Sequence, residues 1–228
     1  MRLRTGVRHT DYHRRYMHSR RVAAPFPILL LSLALACQAQ VIRFESGGLQ
    51  YQTVTKNGVT VMFAPLPIQV REYSILQVAV SNGSKISWNF KPEEFMFVRN
   101  DGAVIGAASA RQVVGKLIEK GGRGDVIKLV QTYELSLYGL TRYKSTNGYE
   151  QRRQAAFAEV SSTKIKAAAA ASAIAFPTVK LLPGQSTDGA VFYPTAGKGL
   201  GTGRLRLQAA GEVFEFEDVQ TSTNHSSQ

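Results

Sequence analysis

The stretch Ser74–Ile105, SILQVAVSNGSKISWNFKPEEFMFVRNDGAVI, decides the fold. Leu76, Val78 and Val80 alternate with Gln77, Ala79 and Ser81 until Asn82-Gly83 breaks the run. Ile86, Trp88 and Phe90 alternate next, and Lys91-Pro92 interrupts them. Phe95–Val98 follows, and Asn100-Asp101-Gly102 turns into Ala103–Ile105. Apolar runs of period two closed by Asn-Gly and Asp-Gly mark antiparallel strands. The stretch reads as strand, connection, strand, turn and strand, forming one edge of a β-sandwich core.

Toward the N-terminus, residues 47–55 and 59–63 read as a hairpin around Lys56-Asn57-Gly58. Pro65 and Pro67 are expected to end it, since proline cannot donate to a ladder. Beyond Ile105 the period changes. Val113, Val114, Leu117 and Ile118 lie at helical spacing before Gly121-Gly122, and a second helix is expected from Asp125. The alanine-rich run from Tyr149 to Ala175 predicts a third helix that stops before Pro177. Strand signals then return. Leu181–Gln185 reads as a turn, residues 189–193 as a short strand, and residues 195–203 as a glycine loop. Leu205 with Leu207, and Phe214 with Phe216, mark two last strands. The plan is mainly β with a helical insertion at about residues 107–176, an α+β chain. One sandwich domain covers residues 40–218, with a disordered polar tail at 219–228.

A set of turns and core positions carries a resemblance. Val78-Ala79-Val80-Ser81-Asn82 is followed by Phe90-Lys91-Pro92-Glu93-Glu94-Phe95 and Arg99-Asn100-Asp101-Gly102. Later come Leu182-Pro183-Gly184-Gln185-Ser186 and Gly189-Ala190-Val191-Phe192-Tyr193. The pattern resembles exported bacterial immunoglobulin-like (telokin-like) domains of unknown function. The resemblance implies an immunoglobulin-like antiparallel β-sandwich and brings no catalytic residue with it. The helical insertion departs from that family's compact pattern.

The first 39 residues read as a cleaved signal peptide. A basic segment ends at Arg20-Arg21, and Phe26–Ala36 forms an apolar run of eleven residues. A bilayer span needs about 20, so the run fits a secretory h-region. Cleavage before Gln40 would follow Cys37-Gln38-Ala39. Alternatively Leu33-Ala34-Leu35-Ala36 precedes Cys37 as a lipobox would, with Cys37 as the candidate lipidation site. Such an anchor is the one membrane attachment expected. Localisation is expected to be periplasmic or secreted. The formal charge of +12 is largely the leader's: without its seven arginines and one aspartate, 21 basic and 15 acidic groups leave a net of +6. That mild excess suits an anionic envelope surface, and no nucleic-acid partner is expected.

The distribution of reactive residues limits the chemistry. His9, His13 and His18 precede the folded part, His225 follows it, and Cys37 is the single cysteine. Ser-His-Asp and Cys-His systems therefore lack their base between Gln38 and Asn224, and zinc lacks its usual ligands. The expectation is a non-enzymatic protein with no cofactor and no metal. Glu93-Glu94, and Glu215 with Glu217 opposite Phe214 and Phe216, read as solvated strand positions. Gly197–Gly203 misses both phosphate-loop registers and reads as a connection. Arg123-Gly124-Asp125 matches an adhesive tripeptide but is explained by helix-start chemistry. One segment combines aromatics with cations: Tyr138, Arg142, Tyr143, Tyr149, Arg152 and Arg153 are the candidate ligand-binding residues. They would let the helical insertion hold a glycan or another anionic polymer. The principal expectation is contact with an unidentified envelope protein, and polymer binding is the alternative.

Overall fold

The computed structural model describes residues 40–139, 151 and 162–220. Among the described residues, eleven strands and three α-helices with described bounds follow in chain order. β1 (Ile42–Ser46), β2 (Leu49–Lys56), β3 (Val59–Val70) and β4 (Tyr73–Asn82) form an antiparallel meander. β5 (Trp88–Phe90), a 3-10 turn at Pro92–Glu94, β6 (Phe95–Arg99) and β7 (Val104–Gly106) come next. α1 (Ala110–Lys120), α2 (Arg123–Gly139) and α3 (Thr163–Ile174) precede β8 (Val179–Leu181). β9 (Ser186–Pro194), β10 (Thr202–Ala209) and β11 (Glu212–Gln220) complete the described chain.

The strands form a five-stranded sheet in the order β1-β2-β3-β4-β9 and a four-stranded sheet in the order β11-β10-β6-β7. β5 and β8 pair separately. Every strand pair in these sheets is antiparallel. The two larger sheets share a core built from their facing side chains. Val61, Phe63, Leu76, Val78, Val191 and Tyr193 of the first meet Phe95, Phe97, Leu205, Leu207, Phe214 and Phe216 of the second. Phe63 meets Phe216 edge to face at 4.9 Å. This is a β-sandwich arrangement in a mainly β, α+β chain.

The helices add a third layer. The opposite face of the five-stranded sheet carries Tyr51, Ala64, Ile75, Ala79, Ala190 and Phe192, and these pack with Val113, Leu117, Leu129 and a row of α3 alanines. Ala167, Ala168, Ala170 and Ala171 are all buried, and α3 packs against both α1 and α2. Alanine suits this place because it favours helix and holds neighbouring backbones close. Charged groups of the β3–β4 turn fix the helix ends. Arg71 Nε lies 2.8 Å from Asp125 Oδ2, and Arg71 Nη2 also donates to the Lys120 carbonyl. Lys116 Nζ lies 3.2 Å from Glu72 Oε1. Burial pushes the Glu72 carboxyl up, but a backbone hydrogen bond and Lys116 outweigh it and hold it below the usual value.

Loops on one side converge on Asn82, which is fully buried. Its Nδ2 donates to the carbonyls of Ile86 (2.8 Å) and Leu181 (3.0 Å), and its Oδ1 accepts from the Ser84 amide and hydroxyl. Its backbone exchanges hydrogen bonds with Gly184 and Gln185. Ser84 Oγ accepts from the Trp88 indole at 3.0 Å. Thus the Asn82-Gly83 break read as a turn is also the joint between β4, β5 and the β8–β9 turn.

Several expectations need correction. β4 is not an edge: it lies between β3 and β9 and is buried at every position except Ser81. Ile86 lies in a bend and is 64% exposed, so the second strand is only Trp88–Phe90. Pro65 and Pro67 do not end β3. The strand runs through them to Val70, and the register with β4 shifts between Pro65 and Gln69 to absorb the missing donors. The strand expected at 189–193 runs from Ser186 to Pro194, and β11 runs to Gln220, two residues into the expected tail. The second helix begins at Arg123, two residues before Asp125, whose carboxylate accepts the Gly122 amide at 2.8 Å.

Two outcomes test this packing. Asn82→Ala strands the Leu181 carbonyl and opens the joint, so the urea midpoint is expected to fall by the equivalent of about 2–4 kcal/mol. Tyr51 is buried with no partner for its hydroxyl, and burial pushes that phenol up to about 12. Below pH 10 the folded and unfolded chains both keep this proton, so its contribution is complete there. Between pH 10 and about 12 only the unfolded chain releases it, so stability is expected to fall as pH rises through that window. Tyr51→Phe is expected to remove this part of the alkaline loss without lowering the midpoint at neutral pH.

Candidate functional site

The five-stranded sheet is covered on both faces, and the inner face of the four-stranded sheet lies in the sandwich core. The outer face of the four-stranded sheet carries the alternate residues. Strand register arranges them in rows: Val104 beside Val98 and Arg204, and Met96 beside Arg206 and Glu215. Gly106 stands opposite Met96 and contributes no side chain beside it. Val104 is 60% exposed, and Met96 and Val98 are half-buried. The result is a short apolar strip on β6 and β7, bordered by cations on β10 and carboxylates on β11. Arg204 Nε lies 3.3 Å from Glu215 Oε1, an exposed pair worth little to stability. Arg206 Nε is buried without a partner.

One end of this face opens into a groove of about 410 Å³, lined by Val98, Arg99, Asn100, Gly102, Gly203, Arg204, Glu217 and Asp218. Local sequence builds each wall. Asp101 Oδ1 accepts the Ala103 amide at 3.0 Å, and the Gly102 amide donates to the Arg99 carbonyl at 2.9 Å, which closes the β6–β7 turn. Arg99 Nε lies 3.5 Å from Asp101 Oδ2. Asn100 is tied to β10 through its backbone amide, 3.1 Å from the Thr202 carbonyl. On the far wall the β10–β11 register shifts between Gly203 and Leu205, and Asp218 adopts φ 55° near this shift. Asp218 is steadied by Arg43, whose Nη2 lies 3.5 Å from its Oδ2 and 3.2 Å from the Glu217 carbonyl. The floor is backbone. A Cβ on Gly203 would stand 2.3 Å from the Val98 carbonyl oxygen and 2.9 Å from a ring atom of Phe97, so only glycine lets β10 lie this close to β6.

The groove offers two guanidinium groups, an amide and two carboxylates over a glycine floor. Such a lining can hydrogen-bond a polar chain and match mixed charges. It contains no paired nucleophile and base. Among the described residues, no group of three or more His, Cys, Asp or Glu comes together as metal ligands would.

Of the ligand-binding candidates read from sequence, none has a described side chain. Tyr138 lies in the α2 backbone span, and its side chain is outside the described residues. Cys37, Arg142, Tyr143, Tyr149, Arg152 and Arg153 also lie outside the described residues. Glu215 and Glu217 occupy exposed positions of β11 as alternation implied, and Glu217 reaches the groove. Arg123-Gly124-Asp125 starts α2, with Asp125 buried against Arg71. Gly197–Gly203 connects β9 to β10. With its amide turned so that nitrogen faces the Gly197 carbonyl and oxygen the Gly199 amide, Gln69 bonds both at 3.0 and 3.2 Å. The groove itself was missed. Its Asp-Gly turn and its acidic strand are each visible in sequence, but they meet only through the pairing of β6 with β10, across about a hundred residues.

Comparison with family models, with curated proteins and with solved structures returned no match. The likeness to immunoglobulin-like domains therefore stands on the residues alone.

Proposed function

We propose that this chain is a non-enzymatic, exported cell-envelope protein that acts by binding another protein. The observation that carries the reading is the open face of the four-stranded sheet, where Met96, Val98 and Val104 are flanked by Arg204, Arg206, Glu215 and Glu217. A small apolar centre with a charged rim has the composition of a contact surface. The leader-like first 39 residues support export, and the lack of histidine and cysteine between Gln38 and Asn224 supports a role without nucleophilic catalysis. In this reading the sandwich is of the immunoglobulin-like (telokin-like) kind. The turns at Asn82, Asp101-Gly102 and Leu182–Ser186, each joining strands of the core, support that assignment.

A photo-crosslinking residue at Val104, introduced in the producing cell, tests the proposal. The expected result is one discrete protein adduct in the envelope fraction, at least about tenfold weaker when Val98→Arg is added, as loss of a buried contact implies. Absence of any adduct from Val104, or turnover of a substrate by the purified protein, would contradict it.

A further inference from the structure

An unpaired strand edge invites pairing with another strand, and folded chains usually blunt such edges. Three of the edges here differ sharply. Beyond β9, the chain itself closes the ladder. The Ala108 amide donates to the Phe192 carbonyl at 2.7 Å and the Phe176 amide to the Ala190 carbonyl at 2.8 Å. Gly189 permits this crossing, since a Cβ there would stand 2.5 Å from the Phe176 Cα. On β11, cationic side chains from the other sheet take edge carbonyls: Lys56 Nζ reaches Val213 at 3.4 Å and Arg43 reaches Glu217. Among the described residues β1 has no such cover: no strand lies beyond it, and four of its five residues are exposed. Ile42 is 57% and Phe44 39% exposed on this strand, with the Phe44 ring resting on Tyr51 at 5.4 Å.

The β1–β2 turn determines which backbone groups are free. Gly47 and Gly48 have φ 58° and 75°, the two positive values of a type I′ turn, and Ser46 is paired with Leu49. The pair flanking such a turn is hydrogen-bonded, and bonded and non-bonded pairs then alternate. Phe44 and Ile42 therefore direct their amides and carbonyls toward β2, and Arg43 and Glu45 direct theirs to the open edge.

We propose that β1 pairs antiparallel with β1 of a second copy of this chain, about a two-fold axis through Phe44. The free groups allow registers that set odd-numbered residues opposite each other, and among these the two-fold through Phe44 is the one that pairs unlike charges. It sets Arg43 opposite Glu45 of the second copy and Glu45 opposite its Arg43, so both bonded pairs use outward-facing backbone groups. The same register pairs opposite charges twice and brings the two Phe44 side chains together in a non-bonded pair, where side chains lie closest. Ile42 falls opposite Ser46. The two five-stranded sheets become one continuous sheet, and the contact is isologous, closing at two copies. The segment Arg43-Phe44-Glu45 is thus complementary to itself.

Sedimentation velocity across a concentration series tests the proposal, with charge exchange as the diagnostic. The wild-type protein is expected to reach twice the monomer mass. Arg43→Glu, or Glu45→Arg, sets like charges opposite each other at both pairs and is expected to weaken the dimer at least about tenfold. The double exchange restores opposite charges between copies and is expected to recover wild-type association. It does not restore the contact of Arg43 with Asp218 within a copy, so recovery reports on the pairing of copies. Glu45→Arg leaves Arg43 and its contacts in place, so it carries the test should Arg43→Glu disturb the fold. A monomer at every concentration, a dimer indifferent to the single exchanges, or a double variant as weak as the single ones would overturn the proposal.

Discussion

The five-stranded sheet must be covered on both faces, and most of the structure follows from that requirement. Leu76, Val78 and Val80 of β4 point into the sandwich, while Tyr73, Ile75 and Ala79 point into the helical layer. Burying both faces of a strand is the habit of sheets with helices on one side, and an antiparallel sheet more often leaves a face wet. Here α1, α2 and α3 are structural. Without them Tyr51, Ile75, Phe192 and the alanine row of α3 would meet water together, an apolar patch too large for a stable monomer surface. The clamp from Arg71 to Asp125 and Lys120 joins the turn of the sheet to the ends of two helices.

This layering decides which surfaces remain available. Among the described residues, one sheet is covered twice and the other once, which leaves a broad sheet face open, and that face carries the mixed-charge groove. The same layering explains the treatment of the edges. The chain enters and leaves the helical layer alongside β9, so the route to the helices also seals that edge. The opposite edge, β1, lies beyond the reach of that route. Surface contact across the open face and strand pairing at β1 are therefore separate consequences of one architecture.

Much of the fold was legible because the turns are local. Asn57-Gly58, Asn82-Gly83, Asp101-Gly102 and Pro183-Gly184 each close or separate strands where their chemistry requires, and the alternation of Leu205, Leu207, Phe214 and Phe216 names the inner face of their sheet. Pairing was not legible. β4 sits beside β9 and β6 beside β10, and nothing local distinguishes those partners from nearer ones. The second buried face of β4 was masked by Gln77 and Ser81, which imitate a wet side. Tyr73, Ile75 and the small Ala79 were its hints, Ala79 matched by the alanines of α3. Pro65 and Pro67 misled because a bulge can absorb missing donors, and a bulge has no signature in a proline pair alone. The groove was hidden for the same reason as the pairing: Arg99 and Glu217 are distant in the chain and approach only once β6, β10 and β11 are in register.

Native-state hydrogen exchange of the β4 amides bears most directly on the doubly covered sheet. If both faces are held at once, the amides of Val78 and Val80 exchange only through global unfolding, and their protection equals the full unfolding free energy. Their rates then fall in step with those of buried positions in α3 when denaturant is withdrawn. Exchange of Val78 and Val80 through a local opening, with the sandwich core still protected, would contradict this account.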